Sequence, residues 1–192
     1  MKKFTYVIII AILALSFSAK AQIQQGNVLI GSDLSNISIQ LNSPNIFNLN
    51  LTPKAAWFIQ DGLALGGYVN FGVQSGTGST AYTYGIGGLG RYYAESDVSP
   101  LKHSRFFFEG TAGFGGVDVN HGGGNTNGLD LGFGPGFSYF VTPSIGLEAL
   151  LKYNGVVGFG STAYQNNLSL NFGFQVYLPG QSTAQKVKND MK

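Results

Sequence analysis

The alternation of apolar and polar positions is sharpest between Leu168 and Leu178. Leu168, Leu170, Phe172, Phe174, Val176 and Leu178 take every second position, with Ser169, Asn171, Gly173, Gln175 and Tyr177 between them. A β-strand sends successive side chains to opposite faces, so this segment has one wholly apolar face and one largely hydrophilic face. At eleven residues, it is about as long as a tilted strand needs to be to cross a bilayer.

The same two-residue period recurs along the chain and predicts eight strands, near 27–41, 46–59, 63–74, 81–94, 105–117, 128–141, 145–154 and 168–178. The second places Phe47, Leu49, Leu51, Ala55 and Trp57 on one face, and the fourth does the same with Tyr82, Tyr84, Ile86 and Tyr92. The first strand is irregular. Val28 and Ile30 share one phase and Ile37, Ile39 and Leu41 the other, which predicts a bulge near 32–36. Gln60-Asp61-Gly62 and Thr142-Pro143-Ser144 read as tight turns. The connections at 75–80, 119–127 and 155–163 read as flexible, and the charged one at 95–104 is longer.

The first twenty-one residues stand outside this pattern. Lys2 and Lys3 precede an unbroken apolar run from Val7 to Leu15, followed by Ala19-Lys20-Ala21. This is the arrangement of a cleaved secretory signal peptide, 1–21. The apolar run is shorter than the roughly 18 residues of a spanning helix. The barrel is expected over 22–179, and 180–192 as a polar tail. Without the signal, eight basic and nine acidic residues remain, a net charge of −1. No basic patch argues for nucleic acid. The chain has no Cys, which excludes disulfides and thiolate metal sites.

Charged residues make up 10% of the chain, against about 25% in soluble domains. With 29 Gly, 15 Phe and 10 Tyr, the composition suits a sheet whose outer face meets lipid. Such a sheet must close into a barrel, because unpaired backbone donors and acceptors in hydrocarbon each cost several kcal/mol. Eight strands enclose a space just wide enough for side chains to fill.

The segment LTPKAAWFIQDGLALGGYVNF (51–71) combines a Pro-Lys strand, an aromatic near the strand end, an Asp-Gly turn and a Leu-Ala-Leu-Gly restart. With the last strand, it resembles the outer-membrane protein β-barrel domain family, the small eight-stranded barrels of OmpA/OmpX type. The resemblance spans essentially 22–179. It implies an all-β, eight-stranded antiparallel transmembrane barrel in a Gram-negative-type outer membrane. The last strand is similar to the polar-x-Gly-x-x-apolar-x-apolar signal read by barrel-insertion machinery, which implies that role for Asn171, Gly173, Val176 and Leu178. Outer-membrane lipids and that machinery are the implied partners, and a monomer the implied state.

The phase that faces away from lipid carries Lys54, Arg91, Arg105, Glu109, Asp130, Glu148 and Lys152. Lone buried charges are costly, so they are expected to pair across the lumen. Inward Gly85, Gly87, Gly132, Gly134 and Gly136 make room for large neighbours such as Tyr68. Aromatic residues cluster near both strand ends. Trp57, Tyr92, Phe106 and Tyr139 are expected at the periplasmic side, and Tyr82, Tyr84, Phe114 and Tyr153 at the outer side, as two interfacial girdles.

Catalytic signals are weak. Gly85-Ile86-Gly87-Gly88-Leu89-Gly90 matches a dinucleotide fingerprint, but it lies inside a strand that continues through Arg91-Tyr92-Tyr93, where a helix would be needed. His103 and His121 fall in connections at opposite barrel ends, which disfavours a shared metal site. A His–Ser dyad would need a partner for His121 as distant as Ser161. No cofactor is expected. The reading is a non-enzymatic barrel with a structural or surface-interaction role and a polar, largely plugged interior. The alternatives are a narrow channel or transporter for small or apolar solutes and, third, a lipid-modifying enzyme. A soluble barrel with an apolar inside is opposed by the seven inward ionisable residues.

Overall fold

The computed structural model of the protein describes residues 23–40, 46–76, 79–95, 103–120, 126–159 and 164–180. The expected signal peptide, the tail beyond Gly180, His121 and Ser161 lie outside these residues.

Eight strands follow one another in chain order: β1 (Val28–Gln40), β2 (Ile46–Gln60), β3 (Leu63–Gly76), β4 (Ser79–Tyr93), β5 (Ser104–Val119), β6 (Thr126–Thr142), β7 (Ile145–Gly158) and β8 (Tyr164–Leu178). Each pairs antiparallel with the next, and β1 pairs with β8, so the sheet closes. Several strands run further than the alternation suggests. Residues 155–158 belong to β7, 164–167 to β8, and 79–80 to β4. The connections between them are correspondingly shorter than expected. Polar and glycine-rich strand ends still pair through their backbones, and a side-chain pattern cannot register that pairing.

Closure involves a stagger. From Leu178, the partners in successive strands are Val28, Trp57, Leu65, Gly90, Gly110, Phe133, Tyr153 and then Leu168. One circuit therefore shifts the register by ten residues along β8. Strand number and stagger together fix tilt and diameter, so the lumen is narrow by construction. The irregularity of β1 is a register shift against β2 between Ser35 and Ser38, overlapping the end of the segment where the bulge is expected.

The two faces separate cleanly. The outer wall carries Ile30, Leu51, Trp57, Leu65, Phe71, Ile86, Phe108, Phe133 and Leu147, with Leu168, Leu170, Phe172, Phe174 and Leu178 of β8, all exposed. In β5 the outward Phe106, Phe108, Ala112 and Phe114 alternate with buried Phe107, Glu109, Thr111 and Gly113. Two tight turns mark one end of the barrel. Gly62, at φ 76°, makes the β2–β3 turn, a left-handed backbone that glycine adopts without a Cβ penalty. The chain just before β1 packs beneath this turn. Gln25 N–H donates to Asp61 Oδ1 at 2.7 Å, and Gly62 N–H donates to the Ile23 carbonyl at 2.8 Å.

Candidate functional site

The lumen has two halves of different character. The half nearer the tight turns is filled. At its base, Phe58, Tyr93, Phe107, Phe140 and Tyr177 are buried together with Leu29 and Leu150. Their rings touch in sequence: Phe58–Tyr93 at 5.9 Å, Tyr93–Phe107 at 5.5 Å and Phe140–Tyr177 at 5.2 Å between centroids. These five ring residues are missing from the sequence-based site. Their signal was present, since Tyr93 and Phe107 each lie two residues from an inward charge, Arg91 and Glu109, and so share its face.

The rings are accommodated by missing side chains. A Cβ at Gly136 would stand 2.2 Å from the Phe107 ring. A Cβ at Gly87 or Gly113 would stand 2.7 or 2.8 Å from Tyr68, so Gly87, named above as inward, does sit against that tyrosine.

Next to the rings lies a continuous charge network. Lys54 Nζ bridges Asp33 Oδ2 at 2.6 Å and Glu109 Oε2 at 2.9 Å. Arg91 forks between Glu109 Oε2 at 2.6 Å and Glu148 Oε2 at 2.7 Å. Its guanidinium also lies 4.1 Å from the Phe107 ring centroid and donates to the Tyr93 hydroxyl at 2.9 Å. Tyr177 donates to Glu148 Oε1 at 2.8 Å, and the Ser138 hydroxyl donates to the same oxygen. The order Asp33–Lys54–Glu109–Arg91–Glu148 alternates in sign and draws on β1, β2, β5, β4 and β7. All five residues are buried. A buried charge is tolerable only when paired and hydrogen-bonded, and each of these is.

The remaining inward charges are placed differently. Lys152 lies 3.9 Å from Glu109 Oε1 and 5.4 Å from the Tyr68 ring centroid. Asp130 accepts from the Tyr68 hydroxyl at 3.0 Å. Arg105 is buried but donates to the Ser104 carbonyl at 2.7 Å, and takes no carboxylate partner among the described residues. Asp33 was absent from the expected set. It lies beside the irregularity of β1, where the alternation gives no phase. Its inclusion brings the inward charges to four acidic and four basic: Asp33, Glu109, Asp130 and Glu148 against Lys54, Arg91, Arg105 and Lys152. Gln175 Nε2 completes the Asp33 shell at 2.9 Å.

The other half of the lumen is hollow. A cavity of about 850 Å³ is lined by short polar side chains, among them Asn50, Thr52, Asn70, Thr83, Asn154 and Asn167. Asp130, Lys152, Ser169 and Asn171 also line it. Asn154 Nδ2 donates to Asn167 Oδ1 and Ser169 Oγ, each at 3.2 Å.

The aromatic residues named above are on the outer wall. Trp57, Tyr92, Phe106 and Tyr139 are exposed near the turn end, and Tyr82, Tyr84 and Phe114 are exposed further along β4 and β5. Tyr84 is hydrogen-bonded through its hydroxyl to Asn127. Tyr153 is half-buried and packs on Phe133 at 5.4 Å. Within β8, Asn171 and Gly173 point inward and Leu178 outward, with Val176 half-buried. The strand pairs with β7 and β1, so it closes the ring.

An apolar wall around a charged, hydrogen-bonded interior is the inverse of a soluble barrel and defines the class of transmembrane β-barrels. No family model and no curated protein matches the sequence. Solved structures do match. Neisserial surface protein A is 20% identical with a TM-score of 0.52, covering 81% of this chain and 97% of that one. The outer membrane protein OprG from Pseudomonas aeruginosa is 9% identical at TM-score 0.52, covering 84% and 99%. The N-terminal β-barrel domain of Pseudomonas aeruginosa OprF is 13% identical at TM-score 0.50, covering 80% and 98%. The chain shares the small eight-stranded β-barrel fold of these outer-membrane proteins.

Proposed function

We propose that the protein is a non-enzymatic, non-conducting outer-membrane barrel with a structural or surface-interaction role, the tight turns facing the periplasm and the hollow half facing outward. The observation that carries this reading is the five-residue ion-pair chain lying against a cluster of rings in a lumen of eight strands. An ion crossing it would have to displace side chains that are already paired and packed. The tight β2–β3 and β6–β7 turns suit the periplasmic end of such barrels, whereas the long β4–β5 connection at that same end and the two-residue β3–β4 connection at the other depart from the usual pattern. The monomeric state, insertion by barrel-assembly machinery through Asn171, Gly173, Val176 and Leu178, and the two aromatic girdles belong to the same proposal.

Planar-bilayer recording on barrel refolded from detergent, after a heat-modifiable gel shift has established folding, tests it. The expected result is a folded band without discrete openings. Discrete single-channel steps would replace this reading with narrow transport of small solutes, and charge reversal at Arg91 or Glu148 would then alter ion selectivity.

A further inference from the structure

We infer that the outer part of the β1–β8 seam is a lateral mouth of the lumen and that it holds a single-chain amphiphile. The uncharged, hydroxyl-bearing head of that molecule sits in the hollow half and its hydrocarbon chain on the lipid-facing wall. The inference goes beyond the function proposed above and takes from it only the orientation, which assigns this mouth to the outer leaflet.

The ladder that closes the ring is short. It runs from Val28↔Leu178 to Ser35↔Asn171, eight residues of each strand. β3 and β4 pair from Leu63↔Tyr92 to Gly76↔Ser79, fourteen residues of each. At about 3.3 Å per residue and a tilt of about 40°, the first rises roughly 18 Å and the second roughly 33 Å, against an apolar band about 25 Å tall. Beyond Asn171 the two strands separate. Ser38 to Gln40 pair with β2 and Tyr164 to Leu170 pair with β7, but among the described residues they do not pair with each other. The register shift of β1 between Ser35 and Ser38 falls where the ladder stops, and a bulge bends its strand. The other end of the seam is fastened. Gly180 N–H donates to Asn27 Oδ1 at 3.0 Å, and Gly26 N–H donates to the Phe58 carbonyl at 2.8 Å. Parting is thereby confined to the outer end.

Two properties of this gap select its occupant. Backbone donors and acceptors along an open edge are not left bare at hydrocarbon depth. The occupant must offer both kinds of partner, as hydroxyl groups do. The gap also joins two chemically opposite spaces. Inside, Ser35, Ser169 and Asn171 border the cavity of about 850 Å³, and half-buried Thr52, Thr83 and Asn154 open onto it. Besides Asp33, which Lys54 holds, Asp130 and Lys152 bring one charge of each sign to this space, so a charged head gains nothing there. Outside, Leu34, Leu168, Leu170 and Phe172 are exposed beside the gap. A wholly polar ligand leaves that apolar flank unused, and a wholly apolar one leaves the strand edges bare. A molecule with one end of each kind meets both.

The test uses barrel refolded into lipid nanodiscs and, as probe, a monoacylglycerol carrying a diazirine on its glycerol head. A diazirine-bearing glycerol without the chain is the control, and adducts are mapped by mass spectrometry after illumination. Adducts on inward Asn154, Asn167 and Ser169 are expected with the lipid probe, about fivefold or more above the chainless control and displaced by unlabelled monoacylglycerol. Ser169→Trp sets a ring at the inner border of the gap and is expected to lower labelling of Asn154 by about fivefold or more. The gel shift verifies that this variant folds; if it does not, Asn167→Trp, at the exposed rim, replaces it with the same expectation. No adducts on these inward residues, equal labelling by the chainless probe, or equal labelling of the variant overturns the inference. Orientation is read separately, by an impermeant maleimide on intact cells carrying Asn120→Cys in this cysteine-free chain. Absence of that label overturns the orientation proposed above without being mistaken for a closed seam.

Discussion

The two halves of the lumen share one set of eight strands and one stagger, yet one is packed and the other is empty. On the turn side, the inward positions carry Phe58, Arg91, Tyr93, Phe107, Glu109, Phe140 and Tyr177, all buried. On the far side, they carry Asn, Thr, Ser and Gly around the cavity. The backbone ring fixes the width available, and side-chain volume decides whether that width is filled. Glycine serves opposite ends in the two halves. Gly136 admits the Phe107 ring and so helps fill the lumen, whereas Gly72 and Gly115 leave space unfilled. Polar groups differ in the same way. The charged groups of the network satisfy one another, while the buried side-chain oxygens of Asn50 and Asn70 in the hollow half, and of Gln175 beside Asp33, have no hydrogen-bond partner among the described residues.

The largest effect is expected from removing the hub of the plug. Glu109→Ala strands both Lys54 and Arg91, and truncating one partner of a buried pair typically costs about 3–5 kcal/mol. Urea unfolding of barrel in lipid vesicles, followed by gel shift, reads this loss. A cost under 1 kcal/mol would mean that the network is solvated and the contrast between the halves is overstated.

Phe107→Ala should destabilise by about 3–4 kcal/mol through the cavity it leaves. In a bilayer it should also raise leak current, because it removes the ring under Arg91. A smaller step tests the fit itself. Gly136→Ala places a methyl against the Phe107 ring, and overpacking of this kind costs about 1–3 kcal/mol. Tyr177→Phe deletes the hydroxyl donated to Glu148, for about 1.5–3 kcal/mol as expected for a bond to a charged group. The smallest effect belongs to the other half. Asn167→Ala, at the exposed rim of the cavity, should change unfolding by no more than about 0.5 kcal/mol. If it matched the plug variants, the hollow half would be a structural core and not a vacancy.

Strand number, order of faces and closure were legible in the chain because a half-lipid, half-lumen sheet leaves a strict two-residue period. Leu168 to Leu178 shows it most clearly, and of that apolar series all but the half-buried Val176 are exposed in β8. The inward phase also contained seven of the eight lumen charges. Asp33 was lost to the irregularity of β1, because a bulge resets the phase on which inward and outward are judged. Strand ends such as 155–158 and 164–167 were hidden for another reason: their ladder bonds are backbone bonds, indifferent to the polar side chains there.

What the sequence determined by itself is thus the sheet, its two faces and the sign of each face, since these depend only on residue type at alternating positions. Pairing was beyond it. That Arg91 meets Glu109 and Glu148 while Arg105 meets a backbone carbonyl depends on how far neighbouring strands slide and at what height each side chain enters. The ten-residue stagger brings Asp33, Lys54, Glu109, Arg91 and Glu148 from five strands into one network, and places the aromatic rings beside it. Only the closed tertiary structure decides that height, because it is a property of the whole circuit and of no single strand.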